Sequence, residues 1–296
     1  MKKSIIDTKY SGKSKCYLGN IDCLVGIREL PNESTDLVIT SPPYFMGKQY
    51  DSSNDIDDFI NLHTILLPEL VRVTKKGGSI CWQVGYHAKN GAITPLDFIV
   101  YEIFKNSSEL FLRNRIIWTF EHGLHGQKRF SGRHEIILWF SKGDEYYFDL
   151  DNVRVPQKYP GKKYYKGLKK GEFSGNPLGK NPSDVWTIPN VKALHVEKTE
   201  HPCQFPVALV QRLVRGLCPP KGRVLDPFMG AGSSGVATLV EKRKFVGFEL
   251  EPEYYKIAKK RCNQALIGKA IYRPLEKPIL EPDPKTSVAQ KPANFK

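Results

Sequence analysis

The 296-residue chain has no apolar window of the about 18 residues that a membrane-spanning helix needs, so no transmembrane segment is expected. Its first fifteen residues are polar and lysine-rich, without the apolar run of a secretion signal. Cysteines are few, at 16, 23, 81, 203, 218 and 262, and no C-x-x-C pair occurs among them. They read as separate reduced thiols, so a disulfide scaffold and a Cys-ligated metal are both excluded. His122 and His125 flank Gly-Leu beside Glu121, but no second pair stands at ligand spacing, so no metal site is expected. No internal repeat is present. The expectation is a soluble cytoplasmic protein without membrane contact. Acidic residues are also in short supply, 31 against 45 Lys and Arg, leaving a formal charge of +14. That surplus suits a polyanion, because each cation that meets a phosphate releases a condensed counterion; it also serves plain solubility.

What is present is a globular composition, 40% hydrophobic and 11% aromatic. Periodicity predicts strands over 36–40, 79–84, 115–120, 135–140, 223–226 and 245–249, and helices over 57–73, 96–104, 206–217, 233–241 and 252–266. Lys75-Lys76-Gly77-Gly78 reads as the stop after the first helix. Strands alternating with helices indicate an α/β domain with a mainly parallel sheet. Two stretches break the rhythm. Residues 154–180 carry eight Lys and Arg against one acid, with Tyr159, Tyr164, Tyr165, Phe173 and five glycines interleaved. This loop-rich insertion suits phosphate contact through Arg154, Lys158, Lys162, Lys163, Lys166, Lys169, Lys170 and Lys180; an irregular surface excursion is the plain alternative. From 273 to 296 five prolines and no apolar period suggest disorder.

Residues 224–235, VLDPFMGAGSSG, read as strand, tight turn and helix start. Gly230, Gly232 and Gly235 fit G-x-G-x-x-G, and Glu249 follows Gly230 by 19 residues at the end of the next strand. Glycines allow the turn and close backbone approach, and a carboxylate there accepts ribose hydroxyls. An adenosine cofactor is implied, nicotinamide dinucleotide or S-adenosylmethionine. Asp226 before the turn favours the latter, since a carboxylate there meets an ammonium group more readily than a pyrophosphate; it also suits a turn cap. Phe228 offers an apolar wall or ordinary core packing.

Ser41-Pro42-Pro43-Tyr44 ends a predicted strand, where open α/β sheets place their chemistry. The Ser41 hydroxyl and the Pro42 carbonyl can each accept an N–H from an exocyclic amine. The prolines stiffen the backbone and offer no competing donor, and Tyr44 offers a face for a base. A rigid turn ending a strand would look the same.

Taken together the chain resembles the β group of DNA amino-methyltransferases, in which the catalytic motif precedes the cofactor motif. The family's [DS]-P-P-[YFW] matches residues 41–44, D-P-F-x-G-x-G matches 226–232, H-P-x-Q-x-P matches 201–206, and G-x-E-x-x-P-x-Y matches 247–254. Segments around Lys76 and around Arg133-His134-Glu135 also stand where the family has similar ones. The resemblance implies a Rossmann-like methyltransferase fold with a seven-stranded, mainly parallel sheet and a small target-recognition insertion. It implies a catalytic half over 1–150, the insertion over 151–194 and a cofactor half over 195–270, and the proline-rich stretch 271–296 is expected to be a disordered tail. It also implies S-adenosylmethionine as cofactor and double-stranded DNA as substrate, and leaves open both a cognate restriction endonuclease acting on the same site and a homodimer. Serine ahead of the prolines is typical of enzymes methylating cytosine N4, while adenine-N6 enzymes usually carry aspartate. Where the family has Gly-Asp before the catalytic strand, this chain has Gly19-Asn20-Ile21-Asp22, so either Asn20 or Asp22 is the candidate for the cofactor's adenine. A DNA-binding module without catalysis and a nicotinamide oxidoreductase are the competing classes. Cys203 is expected to be packed or beside the cofactor, not a nucleophile; Gln83, near the end of the 79–84 strand, either faces the active site, where it cannot act as a base, or serves the core or a supporting role behind the site.

Overall fold

The computed structural model describes residues 6–44, 55–89, 91–120, 123, 125–279, 283, 285 and 290. In chain order the elements are β1 (Cys16–Gly19), α1 (Cys23–Arg28), β2 (Thr35–Thr40), α2 (Ile56–Val73), β3 (Thr74–Val84), β4 (Tyr86–Lys89), β5 (Ala92–Pro95) and α3 (Leu96–Phe104). They continue with β6 (Leu110–Thr119), β7 (His134–Lys142), β8 (Val185–Thr187), α4 (Val207–Leu217), β9 (Arg223–Asp226), α5 (Ser233–Val240), β10 (Lys244–Phe248) and α6 (Pro252–Leu266). The main sheet has eight strands in the order β1-β10-β9-β2-β3-β7-β6-β8. Only the contacts of β7 with β3 and β6 are antiparallel. The α/β expectation therefore holds, with one strand more than the family pattern implied.

Alternation along the strands sorts side chains onto two faces. Leu37, Ile39, Val224 and Phe245 pack with α4, α5 and α6, while Val38, Leu225 and Val246 pack with α1, α2 and α3. Helix α2 runs through Pro68 because Phe59, Leu66, Leu67 and Leu70 bury one continuous stripe. The Lys-Lys-Gly-Gly stretch is not a stop. Strand β3 begins directly after the helix at Thr74, and the glycines absorb a register shift against Thr35 and Leu37, Gly77 taking φ +73°.

Five elements had no place in the periodicity. Strand β1 has four residues, and helix α1 follows it after Asp22 accepts from the Leu24 and Val25 amides. The β4–β5 hairpin turns at Gly91, φ +81°. Strand β8 pairs in parallel with β6, Trp118 next to Trp186, so the end of the 151–194 interval is woven into the main sheet. Within that interval, Val155 bridges Lys180 and Lys163 bridges Phe173, closing a small irregular lobe. At the C-terminus, residues 271–279 lie against the body: the Arg273 amide donates to Glu197 and Arg215 pairs with Glu276. Most of the expected disordered tail lies outside the described residues, as do Glu121 and His122.

Candidate active site

The C-terminal ends of β1, β10, β9, β2 and β3 share one sheet edge, since these strands are parallel. Two groups of side chains gather there.

The first surrounds the turn after β9. Gly230 has φ +50° and Gly232 φ +74°, the left-handed region that a side chain disfavours. A Cβ on Gly230 would stand 2.9 Å from His201 Nε2, and one on Gly232 2.9 Å from the Ala258 Cβ. Gly235 lets α5 approach the sheet, as its Cβ would meet Cys262 Sγ at 2.5 Å. Glu249 follows β10, and its carboxylate accepts from the Gly230 amide at 2.9 Å and the Glu251 amide at 2.9 Å. Burial pushes its carboxyl upward from the usual range. Asn20, just past β1, donates to the Glu249 and Leu250 carbonyls at 2.8 and 3.0 Å. Phe228 is half-buried, its ring 6.4 Å from Trp82 at 85°.

Two expectations change here. Asp226 does not present a free carboxylate: it is fully buried, accepting from Thr40 Oγ1 at 2.5 Å, from the Phe228 amide at 3.0 Å and from the Ser234 hydroxyl. The alternative role, a cap for the turn, is the one seen. Desolvation raises its carboxyl from 3.8 to about 6, against the pull of those donors. Asp22 likewise caps α1.

The second group lies where β2 ends. Pro42 is buried; Ser41, Pro43 and Tyr44 are half-buried. Ser41 Oγ and the Tyr44 hydroxyl are 3.5 Å apart. Gln83 Nε2 donates to the Tyr44 oxygen at 3.0 Å and to the Glu135 carboxylate. Burial, with the Glu135 charge, pushes the Tyr44 hydroxyl well above its usual range, so it stays protonated. The Thr40–Asp226 bond joins the two groups through adjacent strands.

Some residues here carried no sequence signal of their own, whereas His201 and Gln204 stand in the H-P-x-Q-x-P match. Thr40 and Ser234 are small hydroxyls whose role is visible only through Asp226. Buried Arg261 donates to the Ala231 carbonyl at 2.6 Å and so braces the turn from α6. Gln204 ties the segment before α4 together, donating to the Glu197 carbonyl and accepting from Thr199. His201 packs on Tyr254, centroids 4.4 Å apart. Cys203, expected to be packed or beside the cofactor, is exposed.

The basic lobe divides by role. Arg154 donates to Asp151 at 2.6 Å and to the Gly179 carbonyl at 3.0 Å, so it braces the lobe's base and is not a free cation. Lys158, Lys162, Lys163, Lys166, Lys169, Lys170 and Lys180 are exposed. Lys158 lies 5.6 Å over Tyr159, and Lys163 5.3 Å over Phe173. Two open cavities of about 400 and 380 Å³, both bordered by Asp36, Lys75 and Pro219, lie at the opposite edge of the sheet and share no residue with this site.

Residues 35–260 match the N6_N4_Mtase family, described as DNA methylase. Type II methyltransferase M.BglII of Bacillus subtilis is 47% identical over 246 residues, 83% of this chain and 68% of that protein. The DNA adenine methyltransferase YhdJ of Escherichia coli K12 is 29% identical, across 87% of this chain and 86% of that one. Among solved structures, the cytosine-N4-specific PvuII DNA methyltransferase superposes with TM-score 0.68 at 21% identity, covering 92% of this chain and 98% of that one. The Thermus thermophilus protein TTHA0409, complexed with S-adenosyl-L-methionine, gives 0.59 at 23%, covering 85% and 96%.

Proposed function

The chain belongs to the N6_N4_Mtase family of DNA methylases, and from that premise we propose that it methylates the exocyclic N4 of cytosine at a specific DNA site. The observation that carries the N4 assignment is Ser41 at the end of β2, 3.5 Å from the Tyr44 hydroxyl and on the same edge as the glycine turn. A neutral hydroxyl stands there in place of a carboxylate.

S-adenosylmethionine is the methyl donor, supplying a methyl group on a sulfonium. The residues fit it. Glu249 keeps lone pairs beyond its two backbone donors, enough to accept ribose hydroxyls, and Phe228 offers an apolar wall. Asn20, beside Glu249, is better placed for the adenine than Asp22, which is committed to α1. Asp226 acts by holding the turn to Thr40, not by touching the ligand.

The target base is taken out of the duplex, because its amine cannot otherwise reach the site. Ser41 Oγ and the Pro42 carbonyl accept its two amino hydrogens, aiming the nitrogen lone pair outward. Tyr44, fixed by Gln83, supplies the stacking face. Such alignment can supply roughly 7–11 kcal/mol in well-oriented systems. The proton leaves to water after transfer. The exposed lysines of residues 155–180 bind phosphates in target recognition, Arg154 shaping the lobe from beneath. Four chain intervals carry these tasks: 1–150 catalysis, 151–194 recognition, 195–270 the cofactor, 271–296 a tail. M.BglII's name as a Type II methyltransferase supports pairing with a restriction endonuclease on the same site. A DNA substrate fits a cytoplasmic enzyme, as monomer or homodimer.

Adenine-N6 transfer is the second reading, favoured by the family's span over both positions and by YhdJ. Nucleoside mass spectrometry of DNA incubated with the protein and isotope-labelled S-adenosylmethionine separates them. Labelled N4-methylcytosine is expected. Labelled N6-methyladenine keeps the methyltransferase and overturns the serine argument. No label on DNA of varied sequence supports a binding module without catalysis.

A further inference from the structure

Phe130 is 101% exposed, in a segment that the site's chemistry leaves unused. It belongs to the connection between β6 and β7, at the sheet edge that holds Ser41 and Tyr44. Strand β7 starts at His134, and the next residue, Glu135, accepts from Gln83. Strand pairing sets Val84 against Ile136, so the connection emerges beside the end of β3.

The connection has internal fixings. The Gly126 amide donates to Ser131 Oγ at 3.0 Å, closing a tight turn with Phe130 inside it. A Cβ on Gly126 would stand 2.6 Å from the Arg129 carbonyl oxygen, so the turn's two sides are in close contact. The Arg129 guanidinium lies 5.6 Å over the Tyr86 ring, and Gly132 sits against the Tyr86 hydroxyl, where a Cβ would be 2.5 Å away. The turn is thus seated on β4, and Phe130 projects into solvent with Lys128 and Arg129 beside it.

An apolar ring wholly in water beside two cations gains nothing for the fold. It has the chemistry of a DNA wedge: a planar face to stack, and charges close by for the flanking phosphates. Extruding a base leaves a gap in the stack that an aromatic side chain can fill, lowering the cost of the flipped state. We infer that Phe130 enters the duplex where the target base leaves it, with Lys128 and Arg129 contacting the adjacent backbone. This rests on the proposed methylation of a flipped base.

The test uses the full chain and a duplex carrying the site at which the wild type places its label. Phe130→Ala, Phe130→Trp and the wild type are compared on this duplex and on one whose target base faces an abasic position, where flipping costs little. Phe130→Ala is expected to lose about ten- to a hundredfold in kcat/KM on the paired duplex and to come within about threefold of the wild type on the abasic one. Phe130→Trp restores the paired rate, and all three proteins melt at the same temperature because the ring packs on nothing. Equal rates of Phe130→Ala and wild type on the paired duplex overturn the inference alone, as does an equal loss on both duplexes. A wild type that labels no DNA overturns the methylation reading and this inference with it.

Discussion

Asp226 is fully buried yet carries a carboxyl raised only from 3.8 to about 6, so it is ionised at neutral pH at a cost to the fold. Because the folded value lies above the unfolded one, its contribution to stability is greatest at low pH and is lost as pH rises through about 6. Proton linkage removes ~1.4 kcal/mol of unfolding free energy between about pH 5 and pH 7.5. Asp226→Asn keeps an acceptor for Thr40 and cannot ionise. Urea unfolding of both proteins across that range isolates the group, since other carboxylates cancel in the difference. Relative to the wild type, the variant should gain ~1.4 kcal/mol as pH rises through the window. Thr40→Val sharpens the test: with one donor to the carboxylate gone, the midpoint of the wild-type pH dependence should move upward. A constant difference between Asp226→Asn and wild type across the window would refute the claim that this carboxylate destabilises the fold when it ionises.

Other consequences concern binding and transfer. Ser41→Ala should lower turnover by about a hundredfold or more while calorimetric affinity for S-adenosylmethionine stays unchanged; retained turnover would remove Ser41 from the chemistry. Glu249→Ala leaves the Gly230 and Glu251 amides without their acceptor and should weaken that affinity about tenfold or more, an unchanged titration ruling the residue out. Gly232→Ala combines a left-handed backbone with a close approach to Ala258 and should lower unfolding free energy by about 1–3 kcal/mol, read by denaturant titration. Replacing Lys162, Lys163, Lys166, Lys169 and Lys170 with Gln should flatten the salt dependence of DNA binding by about 0.9 in log–log slope for each phosphate no longer neutralised, whereas parallel slopes would place DNA elsewhere.

What sequence makes legible follows from how local each signal is. The glycine turn and Glu249 were readable because backbone geometry demands glycine and the carboxylate follows at fixed spacing. Helices α3 and α6 match their predicted ranges, each carrying a clear apolar stripe and, for α6, a proline in its first turn. The role of Asp226 was not decidable, because residue type does not reveal whether its partner is a ligand or the hydroxyls of Thr40 and Ser234. Nor could Arg154 be told from its lysine neighbours until Asp151 and Gly179 were seen beside it. Strands β1 and β8 are too short for a period of two to emerge, and each exists only through a distant partner. Glu135 and Gln83 meet across an antiparallel pair that no local pattern announces.

The placing of β9 between β2 and β10 has a consequence for how the chain is made. A ribosome delivers β2, β3, β6 and β7 well before residue 223, so the growing chain holds half a sheet whose β2 edge has no neighbour. Strand β1, first to emerge, has nothing to pair with until β10 follows. Until then β2 offers bare amides and carbonyls to any passing strand, including one from another nascent copy. Slow or interrupted synthesis after β8 is therefore the stage at which this protein is most exposed to misassembly, and a premature stop before β9 should yield aggregate rather than half an enzyme.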